Sequence, residues 1–353
     1  PEDFKKFTVQ KQGSGGDFPS NFLFPVFPLC VLRGSMVKKI GIRRRRIHMS
    51  IFIVMFGGVC TAMANLCMRR SIDAGGSSRG FLMLQLPLSA VVAVLLNPVR
   101  MDNYTWNGTV AVLGLIGGVI IGAVLWALGK SLQRGPSGLT FAVFNSASVV
   151  PAIVMFVVFG AAFGHGYHWW NAIGSALVIV GLFCAVKHSR KHGVQISWMA
   201  FVATLFCLNV LFMSFLSWQA LMLKGGIPYS ALIPFHLNPN EAEWFMPMIF
   251  VAASIIHAII YWKKTSKWPK PAEWVYAFLA GGLLGIGTYC LIESVQNAGT
   301  LEHAMIFPAY SVTIIAVCNI WGKLLYKEKI HWIAIGLAIV GIVIGVIKPM
   351  IAT

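Results

Sequence analysis

Charge is the scarcest property of this sequence. Of its 353 residues only 11% are Asp, Glu, Lys or Arg, less than half the roughly 25% of an average soluble domain. Acid is scarcer than base, with 11 Asp and Glu against 28 Lys and Arg. No two carboxylates stand together deep in an apolar stretch, so the paired acid and base of many hydrolases are missing. Seven cysteines include no C-x2-C pair: Cys60, Cys67, Cys184, Cys207, Cys290 and Cys318 fall inside apolar runs, and Cys30 precedes them. That distribution suits small apolar side chains in packed helices. His165 and His168 have no acidic or cysteine neighbour at ligand spacing, so neither metal nor cofactor is expected. The aromatic residues, 12% of the chain, do not alternate with a basic patch, and no nucleic-acid partner is expected. What the chain has is hydrophobicity, 57% of residues with a mean hydropathy of +0.75. That balance identifies a polytopic membrane protein.

Residues 1–48 stand apart. A polar, Gly-rich stretch from Lys11 to Asp17 leads into an apolar run, Phe18 to Leu32, broken by Pro19, Pro25 and Pro28. The run is too short and too rich in proline to cross a ~30 Å hydrocarbon core. Lys38-Lys39 and Arg43 to Arg46 follow. The expectation is a disordered tail, or translated sequence ahead of a start at Met36 or Met49. A lipid anchor or a nucleic-acid arm is the functional alternative.

From Met49 onward ten apolar segments recur at regular spacing. The first five are Met49 to Met68, Gly80 to Leu96, Val110 to Leu128, Leu139 to Phe159 and Trp170 to Val186. The second five are Trp198 to Leu221, Trp244 to Trp262, Val275 to Val295, Leu301 to Leu324 and Trp332 to Ile347. Each has, or nearly has, the ~20 residues that a membrane-crossing helix needs. The second is weakest, with Pro87 and Gln85 inside it. The longest connection, Lys224 to Glu243, contains three prolines and is expected to fold back along the surface.

The two sets of five resemble each other. Gly117-Gly118, Ser131-Leu132-Gln133 and Trp170-Asn-Ala172-Ile173-Gly174 recur in order as Gly281-Gly282, Ser294-Val295-Gln296 and Trp332-Ile-Ala334-Ile335-Gly336. The first two recurrences are offset by about 163 positions, the mark of an internal repeat. Residues 49–196 and 197–353 are therefore read as homologous halves. An odd number of spans per half inserts the second half upside down. The fold expected is an all-α integral membrane protein of ten transmembrane helices in two inverted five-helix repeats. Gly114, Gly118 and Gly122, and likewise Gly281 and Gly285, are spaced to let helix backbones approach closely in lipid.

Basic residues are unevenly placed. The odd-numbered loops hold fifteen Lys and Arg, whereas the even-numbered loops hold Arg100 and Lys224. Short basic loops stay cytoplasmic, which puts both ends of the ten-helix bundle outside, although the ten basic residues before Met49 argue the opposite. Asn103-Tyr-Thr105 and Asn107-Gly-Thr109 match the glycosylation acceptor pattern and are read as chance.

Two five-helix halves with a recurring Trp-x-Ala-Ile-Gly turn resemble the EamA-type branch of the drug/metabolite transporter superfamily. The second half is the closer match: Leu325-Tyr-Lys-Glu328-Lys-Ile-His-Trp332-Ile-Ala-Ile-Gly336 is similar to that family's Gly-Glu turn, with Lys327 in place of glycine. In the first half, Phe163 to Tyr167 lacks the acidic residue. The resemblance spans Met49 to about Pro349 and specifies fold more closely than substrate. It implies a carrier whose central cavity opens alternately to each side, located in a bacterial inner membrane.

Polar groups inside the spans are the candidates for touching cargo, because lipid penalises them unless they face a cavity or a partner. Tyr289, Glu293 and Gln296 share one face of the eighth segment, with Glu293 the candidate proton-coupling group. His303, Phe307 and Tyr310 share a face of the ninth. Asn145 and Ser148 occupy its repeat mate, where Pro151 can free a backbone carbonyl. The substrate-binding set is thus Asn145, Ser148, Tyr289, His303, Phe307 and Tyr310, with no catalytic residue. The expected activity is secondary transport of a small polar or amphipathic metabolite, with proton-linked sugar uptake and a lipid-directed membrane enzyme as alternatives. Membrane lipids are the other expected partner, and a homodimer is left open.

Overall fold

A computed structural model describes residues 43–135, 137–160, 168–190, 196–223, 230, 232–265, 267–298, 303–327, 333, 336–337, 339–341 and 344. Ten α-helices are named: α1 (Arg43–Asp73), α2 (Ser78–Val94), α3 (Gly108–Leu132), α4 (Ser137–Ser146), α5 (Val150–Phe159), α6 (Trp169–Arg190), α7 (Ile196–Leu223), α8 (Phe245–Lys264), α9 (Pro271–Asn297) and α10 (His303–Tyr326). Seven of the described helices are long and apolar enough to cross a membrane, and Val143–Phe159 and Trp169–Gly181 are shorter apolar stretches. The protein is an all-α integral membrane protein. Most of the tenth expected segment, the Phe163 to Tyr167 turn and residues 1–42 lie outside the described residues.

Local chemistry explains the helix ends. Asn107 caps α3 by accepting from the Thr109 and Val110 amides, and Ser77 caps α2 by accepting from Gly80. α1 starts at Arg43, inside the stretch expected to be a tail, because arginine propagates a helix nearly as well as alanine. Pro87 does not break α2, which passes into a π-turn at Leu95–Val99 beside Pro98. The fourth span is broken, with a 3-10 turn at Ala147–Val149 separating α4 from α5 just before Pro151. Pro151 has no N–H to offer the carbonyl one turn back, so the helix tightens there. The connection before α8 folds back on α7: Leu237 N–H donates to the Met222 carbonyl at 2.8 Å, and the Trp218 indole to the Leu232 carbonyl at 2.7 Å.

The helices pack in pairs that correspond when α1, α2, α3 and α4–α5 are exchanged for α7, α8, α9 and α10. α3 lies on α8 as α2 lies on α9; α3 meets α7 as α9 meets α1; α4 and α5 meet α7 as α10 meets α1. Glycine sets the closest approaches. A Cβ on Gly118 would fall 2.4 Å from the Ile249 carbonyl oxygen and 2.5 Å from the Ala252 Cβ. One on Gly281 would fall 2.8 Å from the Gln85 carbonyl oxygen and 2.7 Å from the Leu88 Cβ. The same joint is thus built twice, from α3 on α8 and from α9 on α2.

Where the described odd-numbered loops gather, side-chain bonds tie the ends of α1, α2, α3, α9 and α10 together. Arg69 donates to the Leu132 carbonyl at 3.3 Å and pairs with Asp73, whose carboxylate accepts from the Tyr326 hydroxyl at 2.6 Å. Arg69 and Arg70 lie over the Tyr326 ring, and Gln133 donates to the Ser78 hydroxyl at 2.8 Å. Glu273, only 3% exposed, accepts from the Ser77 hydroxyl at 2.9 Å and the Lys270 amide at 2.6 Å.

Candidate functional site

At the opposite end the bundle is hollow. A cavity of about 250 Å³ lies between the ends of α2, α7 and α9, the start of α8 and the 3-10 turn Pro239–Trp244 that precedes α8. Tyr289, Glu293, Gln296 and Asn297 line it from α9, Asn97 from the π-turn, and Glu243 from the segment before α8. Leu223, Phe245, Met246 and Ile292 give it apolar walls. Six of the twelve lining residues are polar, so the cavity suits a solute that can hydrogen-bond.

Each polar group has a structural reason for its position. Tyr289, Glu293 and Gln296 succeed one another at helical spacing, so one face of α9 presents all three. The Asn297 amide donates to the Glu293 carboxylate at 2.9 Å, and Gln296 reaches Gln219 of α7 at 3.4 Å. Asn97 donates to the Ala93 carbonyl at 2.8 Å and touches the Met246 sulfur at 3.4 Å. Arg100, just past the π-turn, donates to the Tyr289 hydroxyl and lies 5.4 Å from its ring centroid. The cavity therefore has two carboxylates, three carboxamides, a phenol and one guanidinium at its edge.

The expected site residues do not all gather here. Tyr289 and Glu293 do, whereas Asn145, Ser148, Phe307 and Tyr310 are buried elsewhere in the bundle and do not line this cavity. Asn145 donates to the Phe141 carbonyl at 2.8 Å, and its oxygen has no hydrogen-bond partner among the described residues. Ser148 sits in the 3-10 break. The Tyr310 hydroxyl shares a hydrogen bond of 2.7 Å with Thr61 of α1, and Phe307 is 2% exposed. His303 opens α10, and its side chain lies outside the described residues. Among the described residues, the fully buried carboxylate is Glu273, while Glu293 is half-buried.

Arg100, Glu243, Asn97 and Asn297 belong to the site and were not expected from the sequence. Arg100 carried a signal, being a basic residue in an otherwise base-poor set of loops. Glu243 ends a proline-rich connection, and nothing local marks it. The two acceptor-pattern asparagines are engaged in packing: Asn103 donates to the Asn240 carbonyl, and Asn107 to Glu241 at 2.5 Å. No group of three or more potential metal ligands occurs among the described residues.

No family model matches the chain, and no curated protein matches it. Among solved structures, a crystal structure of a protein identified no further is similar over 85% of this chain and 97% of its own length, with a TM-score of 0.61 at 13% identity. That likeness is one of fold.

Proposed function

We propose that this protein is a secondary transporter that moves a small polar or amphipathic metabolite across the membrane by alternating access. The observation that carries the reading is the cavity in which Tyr289, Glu293 and Gln296 of α9 share a hollow with Glu243 and Asn97. Polar groups in a membrane bundle cost free energy unless they face water, a partner or a solute. A hollow lined with several of them at one end of the bundle, with five helix ends bonded together at the other, suits a carrier.

Two further observations support it. The exchangeable packing of α1–α5 with α7–α10 fits two inverted five-helix repeats, with Trp332 to Ile347 completing the second. The 3-10 break at Ala147–Val149 interrupts the fourth span, and discontinuous spans recur in transporters. Glu293 is the coupling group in this reading: a proton taken up there changes the charge of the cavity it lines, and a change of charge alters solute affinity. The resemblance to EamA-type carriers supports a bacterial inner membrane location.

The first test is a thermal-shift screen of the purified protein against amino acids, sugars, nucleosides and organic cations. A ligand that binds only the folded state raises Tm by mass action. A shift confined to one class, lost in Glu293→Gln or Tyr289→Ala, supports the assignment of the cavity. A shift of the same size in both variants places binding elsewhere.

A further inference from the structure

The positions that line the cavity have counterparts at the other end of the molecule, and their charge is inverted. In the glycine joints, α9 matches α3 at an offset of about 163 and α8 matches α2 at about 164. Under those offsets Tyr289 corresponds to Trp126, Glu293 to Lys130 and Gln296 to Gln133. Ala242 corresponds to Ser78, Glu243 to Arg79, and the apolar wall Phe245-Met246 to Phe81-Leu82.

The two places differ in one decisive respect. At the hollow end, Ala242 and Gln296 both line open space. At the other end their counterparts touch, because Gln133 donates to the Ser78 hydroxyl at 2.8 Å. Gly129 packs so close behind Ser78 that a Cβ on it would fall 2.9 Å from the Ser78 Cβ. The Arg69 bond to the Leu132 carbonyl, at 3.3 Å, closes the same corner. The carboxylates of the hollow are replaced by cations: Lys130 lies in the field of Arg79, Arg134 and Lys264.

We propose that the Ser78–Gln133 contact is the seal of a second, basic vestibule lined by Trp126, Lys130 and Arg79, which opens when the acidic one closes. This rests on the carrier reading above. The same motion that separates Ala242 from Gln296 at one end brings their counterparts together at the other, as a two-fold exchange of halves requires. A solute crossing the protein meets carboxylates at one mouth and ammonium and guanidinium groups at the other. A cation is held at the first mouth and driven from the second, and an anion the reverse.

The test uses cysteines at the paired positions, Ala242→Cys and Ser78→Cys, in the full-length protein. Cationic and anionic methanethiosulfonates are the probes, with labelling read peptide by peptide by mass spectrometry. Ala242→Cys should label readily, with the cationic reagent about tenfold ahead. Ser78→Cys should label slowly with both. Adding Gln133→Ala should speed labelling of Ser78→Cys, now with the anionic reagent ahead, and slow labelling at Ala242→Cys. Gln133 is exposed, so its loss leaves the core intact, and Gln133→Met repeats the test at similar side-chain length. An unchanged rate at Ser78→Cys, or faster labelling without preference for the anion, overturns the second vestibule. Faster anionic labelling at Ser78→Cys with no fall at Ala242→Cys keeps the vestibule but contradicts alternating access.

Discussion

Glu273 and Ser77 join two helices that lie far apart in sequence: the Glu273 carboxylate accepts both the backbone N–H of Ser77, at 2.5 Å, and its hydroxyl, at 2.9 Å. The same side chain takes the Lys270 amide, so one carboxylate satisfies the N-terminus of α9 and ties it to the cap of α2. Glu273→Ala leaves buried donors unpaired and should cost about 3 kcal/mol. Ser77→Ala, which removes one bond and a helix cap, should cost about 1 kcal/mol. Thermal unfolding in detergent checks both. A Tm for Glu273→Ala equal to that of the parent protein contradicts this account of the joint.

The glycine joints make a paired prediction. Gly118→Ala and Gly281→Ala each place a methyl group under 3 Å from a backbone oxygen of the facing helix. Both should lower Tm by comparable amounts, a loss of about 1–3 kcal/mol. Nothing lies within 4 Å of a Cβ on Gly282, so Gly282→Ala should be neutral or stabilising, by up to ~1 kcal/mol. A destabilised Gly282→Ala beside a neutral Gly281→Ala would reverse the assigned face of α9.

Tyr310 and Thr61 share a buried hydrogen bond. Tyr310→Phe removes one partner and keeps the ring, so the loss should be about 1 kcal/mol. The double change Tyr310→Phe with Thr61→Val should cost less than the sum of the single changes, because it leaves no orphaned hydroxyl. Strict additivity in a double-mutant cycle would show that the pair is not coupled.

At the cavity edge, Arg100 meets Tyr289 through both its hydroxyl and its ring. On the carrier reading, Arg100→Gln should raise KM for the solute with little effect on Tm, because the side chain is exposed and touches Tyr289 of the cavity. A drop in Tm as large as that of Glu273→Ala would make Arg100 a structural residue.

Much of the fold is legible in the sequence because a membrane imposes long apolar helices. The period of Gly114, Gly118 and Gly122 marks the packing face of α3, and Pro151 marks the break before α5. The face carrying Tyr289, Glu293 and Gln296 is legible for the same reason, since helical spacing alone puts them together. What is not legible depends on where connections land. Glu273 sits at the polar edge of its segment in sequence, yet the N-terminus of α2 covers it. Glu243 and Arg100 belong to loops, and only the folding back of the segment before α8 and the turn after Pro98 bring them to the cavity. Tyr310 has the spacing of a cavity residue, but its hydroxyl is taken by Thr61.

Transport itself is tested most directly in sealed proteoliposomes loaded with a pH-sensitive dye, under an inward proton gradient. The solutes offered are amino acids, sugars, nucleosides and organic cations, one class at a time. On the carrier reading, one class enters chemically unchanged and carries protons with it, and Glu293→Gln abolishes the pH dependence of its uptake. Undiminished proton-driven accumulation in Glu293→Gln would remove that residue from coupling. Conversion of a lipid or solute to a new product in detergent, with no flux of any class into vesicles, would contradict the carrier.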